Sequence, residues 1–375
     1  MNLLEKHGVR RVLNAIGTPT ITGANVASPE VIAAASEALG LNVEIDELQR
    51  AASRVIAAAT GAEAGCVTSS AASGIAIAVA ACMTGSDLGR IVELPETGGL
   101  RNEVVLQHGH DVNFGGRISQ MVRLTGARVL HIGTANHCDA FHLRSALSDR
   151  TAAMLFVVNG AVPSNADFLA LERCVELTEA RRAPVIVDAA AEPDVRPFLR
   201  AGAALAITSG HKSMGAPTSG MICGRKQLIR ACYLQNWGIG RAMKVGKEGI
   251  AGLMAAVERW TAIDLDAEER RYTALADIMR EKLQVRATPK PYRVAVPAPN
   301  ARRVANALRE NDPPVWVNGA AGSFLVLDLR VMSADDARAI AAIVAEHLDH
   351  PRTPKEDVPF HDLYWSEERL LRWPD

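Results

Sequence analysis

Val185-Ile186-Val187-Asp188-Ala189-Ala190-Ala191-Glu192 places a carboxylate directly after a run of apolar, β-branched residues. Further along, Thr208-Ser209-Gly210-His211-Lys212-Ser213-Met214-Gly215-Ala216-Pro217 places a lysine in a loop of small residues, again after an apolar run. Short apolar runs bounded by turn residues predict buried strands. Because open α/β sheets bind ligands at the carboxyl ends of their strands, the two stretches predict one site containing Asp188 and Lys212.

The rest of the chain continues this alternation of short strands with helices. Helices are predicted from Ser28 to Gly40, over 45–60, over 75–83 after a polar turn at 66–74, from Lys226 and over 246–284. Strands are predicted at residues 90–94, 103–107, 128–132, 153–158, 184–187, 205–208 and 220–223. Strands that alternate with helices predict an α/β fold, with a mainly parallel central sheet covered by helices on both faces.

The pattern changes after Pro291, where strands and helices alternate with different spacing and the chain ends in a proline-rich tail. We expect a smaller C-terminal α+β domain here. A length of 375 residues suits one large domain and one small one. The predicted division is residues 1–260 for the large domain, including an N-terminal segment, and residues 261–375 for the small one.

Composition and charge exclude several classes of protein. The chain is 48% hydrophobic and 22% charged, and 41 basic residues balance 42 acidic ones, so the sequence predicts no nucleic-acid partner. No apolar run is long enough to span a membrane and the start lacks a secretory signal pattern, so we expect a cytoplasmic protein. The six cysteines are scattered and are expected to be reduced.

Three features together fit pyridoxal phosphate. The chain has only eight lysines, and Lys212 lies in a loop, whereas a surface lysine is more usual on a polar helix face. Asp188 supplies a carboxylate for the pyridinium nitrogen, and Lys212 supplies an amine for the Schiff base and for proton transfer. The phosphate would be held by the helix amides around Ala71 and by the hydroxyls of four residues, Thr68, Ser69, Ser70 and Ser209.

The chain resembles the selenocysteine synthase and D-glucosaminate-6-phosphate ammonia-lyase group of fold-type I pyridoxal phosphate enzymes. The resemblance covers roughly residues 10–260 and is closer to the ammonia-lyase side, which implies that transfer RNA is not the substrate. It rests on several motifs together: Leu13-Asn14-Ala15-Ile16-Gly17-Thr18, Ser28-Pro29-Glu30-Val31, Thr60-Gly61-Ala62-Glu63-Ala64-Gly65, residues 68–74, Gly133-Thr134-Ala135-Asn136, Asp188-Ala189-Ala190-Ala191-Glu192, Ser209-Gly210-His211-Lys212 and residues 240–248.

The resemblance implies roles for further residues. It places His110 on the cofactor ring, with a solvated loop histidine as the alternative, and places Ala190 and His211 beside the cofactor. His211 and Ser70 depart from the residues usual in the group, which leaves the substrate open. A metal site is not expected, because the histidines form no ligand pattern.

A basic cluster follows Gly238 and Gly240 and consists of Arg241, Lys244 and Lys247. The resemblance implies that it lies near the cofactor or substrate phosphate, in part from a neighbouring subunit. A solvated helix start is the alternative, although cations are disfavoured there.

The implied activity is that of a pyridoxal phosphate-dependent lyase. Such an enzyme converts a hydroxylated amino acid or amino-sugar acid, with or without a phosphate, to a 2-keto acid and ammonia. The alternatives are a racemase, aldolase or aminotransferase, and a catalytically silent homologue that serves as a sensor or scaffold. Fold-type I sites imply at least a homodimer.

Overall fold

The computed structural model describes residues 3–158, 166–319, 322–355, 358 and 371. Its backbone forms two compact units, a large unit of Ala27–Ala262 and a small unit of Met1–Val26 with Ile263–Asp375. The described strands are β1 (Leu13–Asn14), β2 (Ala64–Thr68), β3 (Glu103–Gln107), β4 (Arg128–Ile132), β5 (Thr151–Val157), β6 (Val185–Asp188), β7 (Leu205–Ser209), β8 (Gly220–Gly224), β9 (Arg286–Ala287), β10 (Arg293–Pro297), β11 (Val315–Trp316) and β12 (Phe324–Asp328).

The described helices include several whose starts were predicted from the sequence. They are α1 (Leu3–Lys6), α2 (Pro29–Leu39), α3 (Ile45–Thr60), α4 (Ala71–Thr84), α5 (Leu88–Glu93), α6 (Ile118–Arg123), α7 (Ala140–Ala146), α8 (Leu171–Glu179), α9 (Arg196–Arg200), α10 (Lys226–Leu234), α11 (Lys247–Thr261), α12 (Leu265–Arg280), α13 (Ala301–Arg309) and α14 (Ala334–Asp349). None of the described helices is long and apolar enough to cross a membrane.

The large unit is built on a seven-stranded sheet with the order β2-β8-β7-β6-β5-β3-β4. The pairs from β7 to β4 are all parallel, and β8 runs antiparallel between β7 and β2. Helices α4, α6 and α10 pack in the core on one face, and α2, α3, α8 and α11 pack in the core on the other. The expected α/β class with a mainly parallel sheet is confirmed.

The prediction of a strand at residues 90–94 is wrong, because residues 90–93 belong to helix α5 and Leu94 follows its end. The Asp87 carboxylate accepts the backbone N–H of Arg90 at 3.2 Å and caps the first turn of the helix. Aspartate is among the preferred residues at a helix start because it satisfies an amide that has no partner within the helix. The cap therefore favours a helix in a segment whose apolar residues alone would suit either a helix or a strand.

The single helix expected over residues 246–284 is divided into α11 and α12. The Asp264 carboxylate accepts the backbone N–H groups of Asp266 and Ala267, which starts a new helix there. The break coincides with the division between the units, after Ala262 and close to the expected boundary at residue 260.

The N-terminal segment differs from the expected division, which placed it in the large domain. Residues 13–14 form β1, which pairs in parallel with β11 of the small unit, and Leu13 and Ala15 are buried in that unit's core. The same unit contains the antiparallel sheet β12-β10-β9. Helices α12, α13 and α14 contribute the rest of its core.

Candidate active site

The register of the large sheet brings the ends of β2, β6 and β7 together. Gly220, the first residue of β8, pairs with Thr68 at the end of β2 and with Ser209 at the end of β7. Asp188 ends β6, which is the next strand after β7 in the sheet. The sequence stretches that suggested the site therefore meet at one edge of the sheet.

The turn from Thr68 to Ser70 leads directly into helix α4. Ser70 and Ser73 form a reciprocal cap, in which each hydroxyl oxygen accepts the backbone N–H of the other residue, at 3.0 and 2.9 Å. The cap leaves the amides of Ala71 and Ala72 without an acceptor among the described residues. Free amides and the helix dipole together favour an anion at this end of the helix.

Gly220 allows the turn to lie against the strand. A Cβ atom built on Gly220 would lie 2.3 Å from the carbonyl oxygen of Ser70 and 2.5 Å from Oγ1 of Thr68. The Thr68 hydroxyl donates a hydrogen bond to the Ser70 carbonyl oxygen at 2.8 Å. Any side chain at position 220 would therefore displace the turn that begins α4.

Gly220→Ala is expected to weaken phosphate binding at this turn. Both contacts involve atoms fixed by the turn, so overpacking is expected to cost about 1–3 kcal/mol of the free energy of unfolding. Displaced amides should raise the dissociation constant of pyridoxal phosphate at least about tenfold. Equilibrium titration of the apoenzyme and chemical denaturation measure the two effects.

Gly98→Ala is the matched control, because nothing lies within 4 Å of a Cβ atom at Gly98. It should change neither quantity. An unaltered cofactor affinity in Gly220→Ala would contradict the role of this turn in phosphate binding.

Asp188 is a buried carboxylate, with 4% of the residue exposed. Burial raises its pKa to about 6, against the lowering effects of a hydrogen bond from the backbone N–H of Ala190 and of the nearby Lys212 charge. The Ala190 amide lies 3.2 Å from Oδ1 of Asp188. A buried carboxylate at this pKa is well suited to a cationic ligand, whose charge would offset the cost of burial.

Lys212 lies in a loop that joins the end of β7 to the start of β8. The Gly210 amide donates to the Ser219 carbonyl at 2.9 Å, and the Lys212 amide donates to the Ser209 carbonyl at 3.3 Å. Burial lowers the pKa of Lys212, while the Asp188 carboxylate opposes the change. Lowering this pKa increases the fraction of neutral amine, the form that acts as a nucleophile or base.

His110 is buried, with 3% of the residue exposed, so the solvated-loop alternative does not apply. Its Nδ1 accepts the backbone N–H of Val157 at 3.2 Å, and Val157 pairs with Asp188 across the sheet. Burial lowers the pKa of His110 to about 4, so the ring is neutral near pH 7 and carries its proton on Nε2. Contact of this ring with a cofactor stays a prediction.

Ser209 and His211 lie next to Lys212 in the same loop. The Ser209 hydroxyl is 3.2 Å from Nδ1 of His211, and the Ser209 amide donates to the Ala190 carbonyl at 3.3 Å. Burial and the neighbouring Lys212 charge lower the pKa of His211. The predicted residues at the ends of β6 and β7 therefore form one connected group.

The basic cluster of Arg241, Lys244 and Lys247 has contacts of its own, apart from the group around Asp188 and Lys212. Nζ of Lys247 donates to the carbonyl oxygens of Leu39, at 3.1 Å, and Leu41, so this ammonium closes the end of α2. Arg241 and Lys244 are exposed and form no ion pair with another described residue. A role of the cluster in phosphate binding stays a prediction.

A sequence profile described as "SelA: L-seryl-tRNA selenium transferase" matches residues 14–298, about three-quarters of the chain. The chain belongs to the L-seryl-tRNA selenium transferase family. The match extends over every predicted site residue, from Thr68 to Lys247. It confirms the expected resemblance, and with it the expectation of a pyridoxal phosphate enzyme.

Relatives in this family have different activities. The chain is 41% identical over 259 residues to the D-glucosaminate-6-phosphate ammonia lyase of Salmonella typhimurium, which covers 69% of the chain and 70% of the relative. It is 42% identical over 265 residues to the 5'-C-glycyluridine monooxygenase-decarboxylase of a Streptomyces species, covering 70% and 66%. An L-seryl-tRNA(Sec) selenium transferase of Actinobacillus pleuropneumoniae is 29% identical over 289 residues, covering 69% and 59%.

Among solved structures, one of a D-glucosaminate-6-phosphate ammonia-lyase matches with a TM-score of 0.86 at 34% identity, covering 93% of this chain and 99% of that one. An aspartate aminotransferase of Thermus thermophilus matches with a TM-score of 0.51 at 19% identity, covering 92% and 93%. The second likeness confirms the expected aspartate aminotransferase-like fold.

Sequence reasoning missed Gly220 as a site residue of this family member. It noted the strand at 220–223, but the importance of its first residue depends on pairing with both Thr68 and Ser209. The only local signal is the pair Ser219-Gly220 before an apolar run. Glycine in a strand often indicates a close approach of another backbone segment, which is its role here.

Proposed function

We propose that the protein is a pyridoxal phosphate-dependent ammonia-lyase that converts a phosphorylated, hydroxylated amino-sugar acid to a 2-keto acid and ammonia. The observation that carries the proposal is the end-to-end structural match to a D-glucosaminate-6-phosphate ammonia-lyase, with 93% of this chain and 99% of that one superimposed. The sequence identity of 41% to a D-glucosaminate-6-phosphate ammonia lyase supports the same proposal, independently of the structural match.

The chain's residues fit the cofactor. Asp188 is buried with no cation other than Lys212 affecting its pKa, which suits a protonated ring nitrogen. The free amides at the start of α4 suit a phosphate, and Lys212 supplies an amine. When bound, pyridoxal phosphate supplies an electron-withdrawing ring that stabilises negative charge at the substrate Cα.

Lys212 and Asp188 would have different roles in this reaction. The Lys212 amine, whose pKa is lowered by burial, takes the proton from the substrate Cα. Asp188 keeps its charge beside the ring nitrogen and so favours electron withdrawal from Cα. Departure of the β-hydroxyl as water, followed by hydrolysis, consumes as much water as it releases, so the products are the 2-keto-3-deoxy acid and ammonia.

A substrate comparison tests the proposal. The holoenzyme should release ammonia and 2-keto acid in equal amounts from D-glucosaminate 6-phosphate. Its kcat/KM for unphosphorylated D-glucosaminate should be at least about tenfold lower, because a charge-assisted phosphate contact contributes more than about 1.4 kcal/mol. Equal use of both substrates would contradict the phosphate requirement, and no ammonia from either would contradict the lyase.

A second candidate rests on the 42% identity to a 5'-C-glycyluridine monooxygenase-decarboxylase. Such a reaction consumes oxygen and releases carbon dioxide from an amino acid attached to a nucleoside. An oxygen electrode separates the two candidates, since the lyase consumes no oxygen. Equimolar release of ammonia and keto acid distinguishes the lyase from the remaining alternatives. Neither a racemase, an aldolase, an aminotransferase nor a silent homologue releases both in equal amounts.

We also propose that the protein works as a homodimer or larger homo-oligomer in the cytoplasm. All six cysteines are free thiols, and thiols persist in a reducing compartment. Light scattering gives the mass of the assembly, and a single 40.0 kDa species at all concentrations would contradict the oligomer.

A further inference from the structure

Helices α3 and α10 border a groove that runs along β2, the edge strand of the large sheet. Each helix lines the groove with residues spaced as one helical face, from Asp46 to Ser53 on α3 and from Lys226 to Tyr233 on α10. We call it the α3–α10 groove. Its volume is about 400 Å³, and all of its lining residues belong to the large unit. A cavity of this size suits a small organic molecule.

The edge of β2 in the groove is already paired by side chains of α3. Gln49 donates from Nε2 to the Val67 carbonyl oxygen at 2.8 Å and accepts the Val67 amide on Oε1 at 3.0 Å. The Ser53 hydroxyl oxygen accepts the Gly65 amide at 3.1 Å. These bonds occupy backbone groups that an added strand would need, so the groove is not suited to a peptide strand.

The two ends of the groove differ in charge. Where α10 begins, Glu63 accepts the backbone N–H of Lys226 at 2.9 Å, so a carboxylate lies beside that lysine. At the other end Arg50 is paired with Asp46, whereas Arg230 forms no ion pair with another described residue. Positive charge is therefore in excess at the end that contains Arg230.

Tyr233 adds a hydrogen-bond donor to this positive end. Its hydroxyl has no hydrogen-bond partner in the described part of the chain. Burial raises the pKa of Tyr233, and the nearby Asp46 carboxylate adds to this effect while Arg50 opposes it, so the hydroxyl keeps its proton near pH 7. Arg50 can donate to a ligand as well, because a guanidinium has more N–H groups than the bonds to Asp46 use.

The chemistry of the groove fits a phosphate group joined to a small organic body. The positive end supplies three donor groups, those of Arg50, Arg230 and Tyr233, and a phosphate monoester has three terminal oxygens to accept them. Guanidinium groups also match the geometry of phosphate oxygens. Beyond this end, Ala64 and Ile229 give the groove an apolar lining.

We propose that the α3–α10 groove is a binding site for an organic phosphate monoester, whose phosphate lies between Arg50, Arg230 and Tyr233 and whose organic part lies along β2. The ligand is either a nucleotide or a sugar phosphate, since both carry the same charged group. The site is separate from the group around Asp188 and Lys212, and it does not rest on the proposed function.

Calorimetric titration of the holoenzyme tests the site with AMP, glucose 6-phosphate and inorganic phosphate as probes. At least one of the two organic phosphates should bind with a dissociation constant below about 1 mM and more tightly than inorganic phosphate. Tighter binding of AMP identifies a nucleotide site, and tighter binding of glucose 6-phosphate identifies a sugar phosphate site.

Arg230→Glu assigns the binding to the groove. It should raise the dissociation constant of the bound probe at least about tenfold, because it removes a charge-assisted contact and adds a repulsive charge. Arg123→Glu is the matched control, since Arg123 is an exposed arginine of α6 outside the groove and the charge change is the same. The control should bind the probe as wild type does.

Tyr233→Phe guards against a general effect of charge or a folding defect, because it removes only a hydroxyl. It should raise the same dissociation constant at least about threefold. The Trp237 ring lies 5.6 Å from the Tyr233 ring, so binding should also change the tryptophan fluorescence, and Trp237→Phe should lose that change. The proposal would be overturned if neither organic phosphate bound more tightly than inorganic phosphate, or if the binding were the same in Arg230→Glu as in wild type.

Discussion

Lys212→Ala is expected to lower kcat by about 10⁴-fold or more, to the background rate, because it removes the proposed base and the amine that holds the cofactor. The visible absorbance of the holoenzyme should disappear in the same variant. Steady-state ammonia release and an absorbance spectrum of the purified protein measure the two effects. Retained turnover would show that Lys212 is neither the base nor the residue that holds the cofactor.

Lys226→Ala is the matched control for this experiment. Lys226 begins helix α10, and its exposed side chain is not part of the group around Asp188. The variant should keep wild-type absorbance and turnover. Added methylamine offers a further check on Lys212→Ala, because a soluble amine that partly restores the rate identifies a missing base and excludes a misfolded protein.

Asp188→Asn is expected to retain much of the cofactor on Lys212 but to lower kcat by about 100-fold or more, since it removes a buried charge placed to stabilise the reacting state. Asparagine keeps the size of the side chain, so the loss comes from charge and not from a cavity. Asp149→Asn, a change on an exposed aspartate, should leave kcat unchanged. A kcat within about threefold of wild type in Asp188→Asn would contradict the role of this carboxylate.

The pH dependence of the apoenzyme separates this charge effect from a structural one. Burial raises the pKa of Asp188 in the folded chain to about 6, from 3.8. Between these values the folded state binds more protons than the unfolded state, so the free energy of unfolding falls as pH rises from about 4 to about 6. Asp188→Asn should lack this fall, and denaturant titrations across the range measure it. An identical pH profile in both proteins would show that folding does not raise the pKa of Asp188.

The two principal residues were predictable because each follows a strong local pattern. Asp188 ends one apolar run that forms a strand, Lys212 lies in the loop that follows another, and parallel strands bring their ends to one edge. The turn at Ser70 was predictable for a similar reason, since it combines hydroxyl residues with the start of an apolar helix. These parts of the site can therefore be predicted from short stretches of sequence.

The remaining features depend on contacts between distant parts of the chain. The requirement for glycine at position 220 arises from pairing with Thr68, about 150 residues away, and with Ser209. The N-terminal segment joins the small unit because Leu13 pairs with Val315. Residues 88–93 form a helix because the Asp87 carboxylate caps its first turn, and the apolar pattern alone did not distinguish helix from strand.

The most direct test of the role of Lys212 is to locate the bound cofactor on the chain. Holoenzyme is reduced with borohydride, digested and mapped by mass spectrometry, so that each of the eight lysines is scored separately. If Lys212 holds the cofactor, the reduced cofactor is found on Lys212 alone and the visible absorbance is lost on reduction. Label on another lysine, or a chain that takes up no pyridoxal phosphate, would contradict that role.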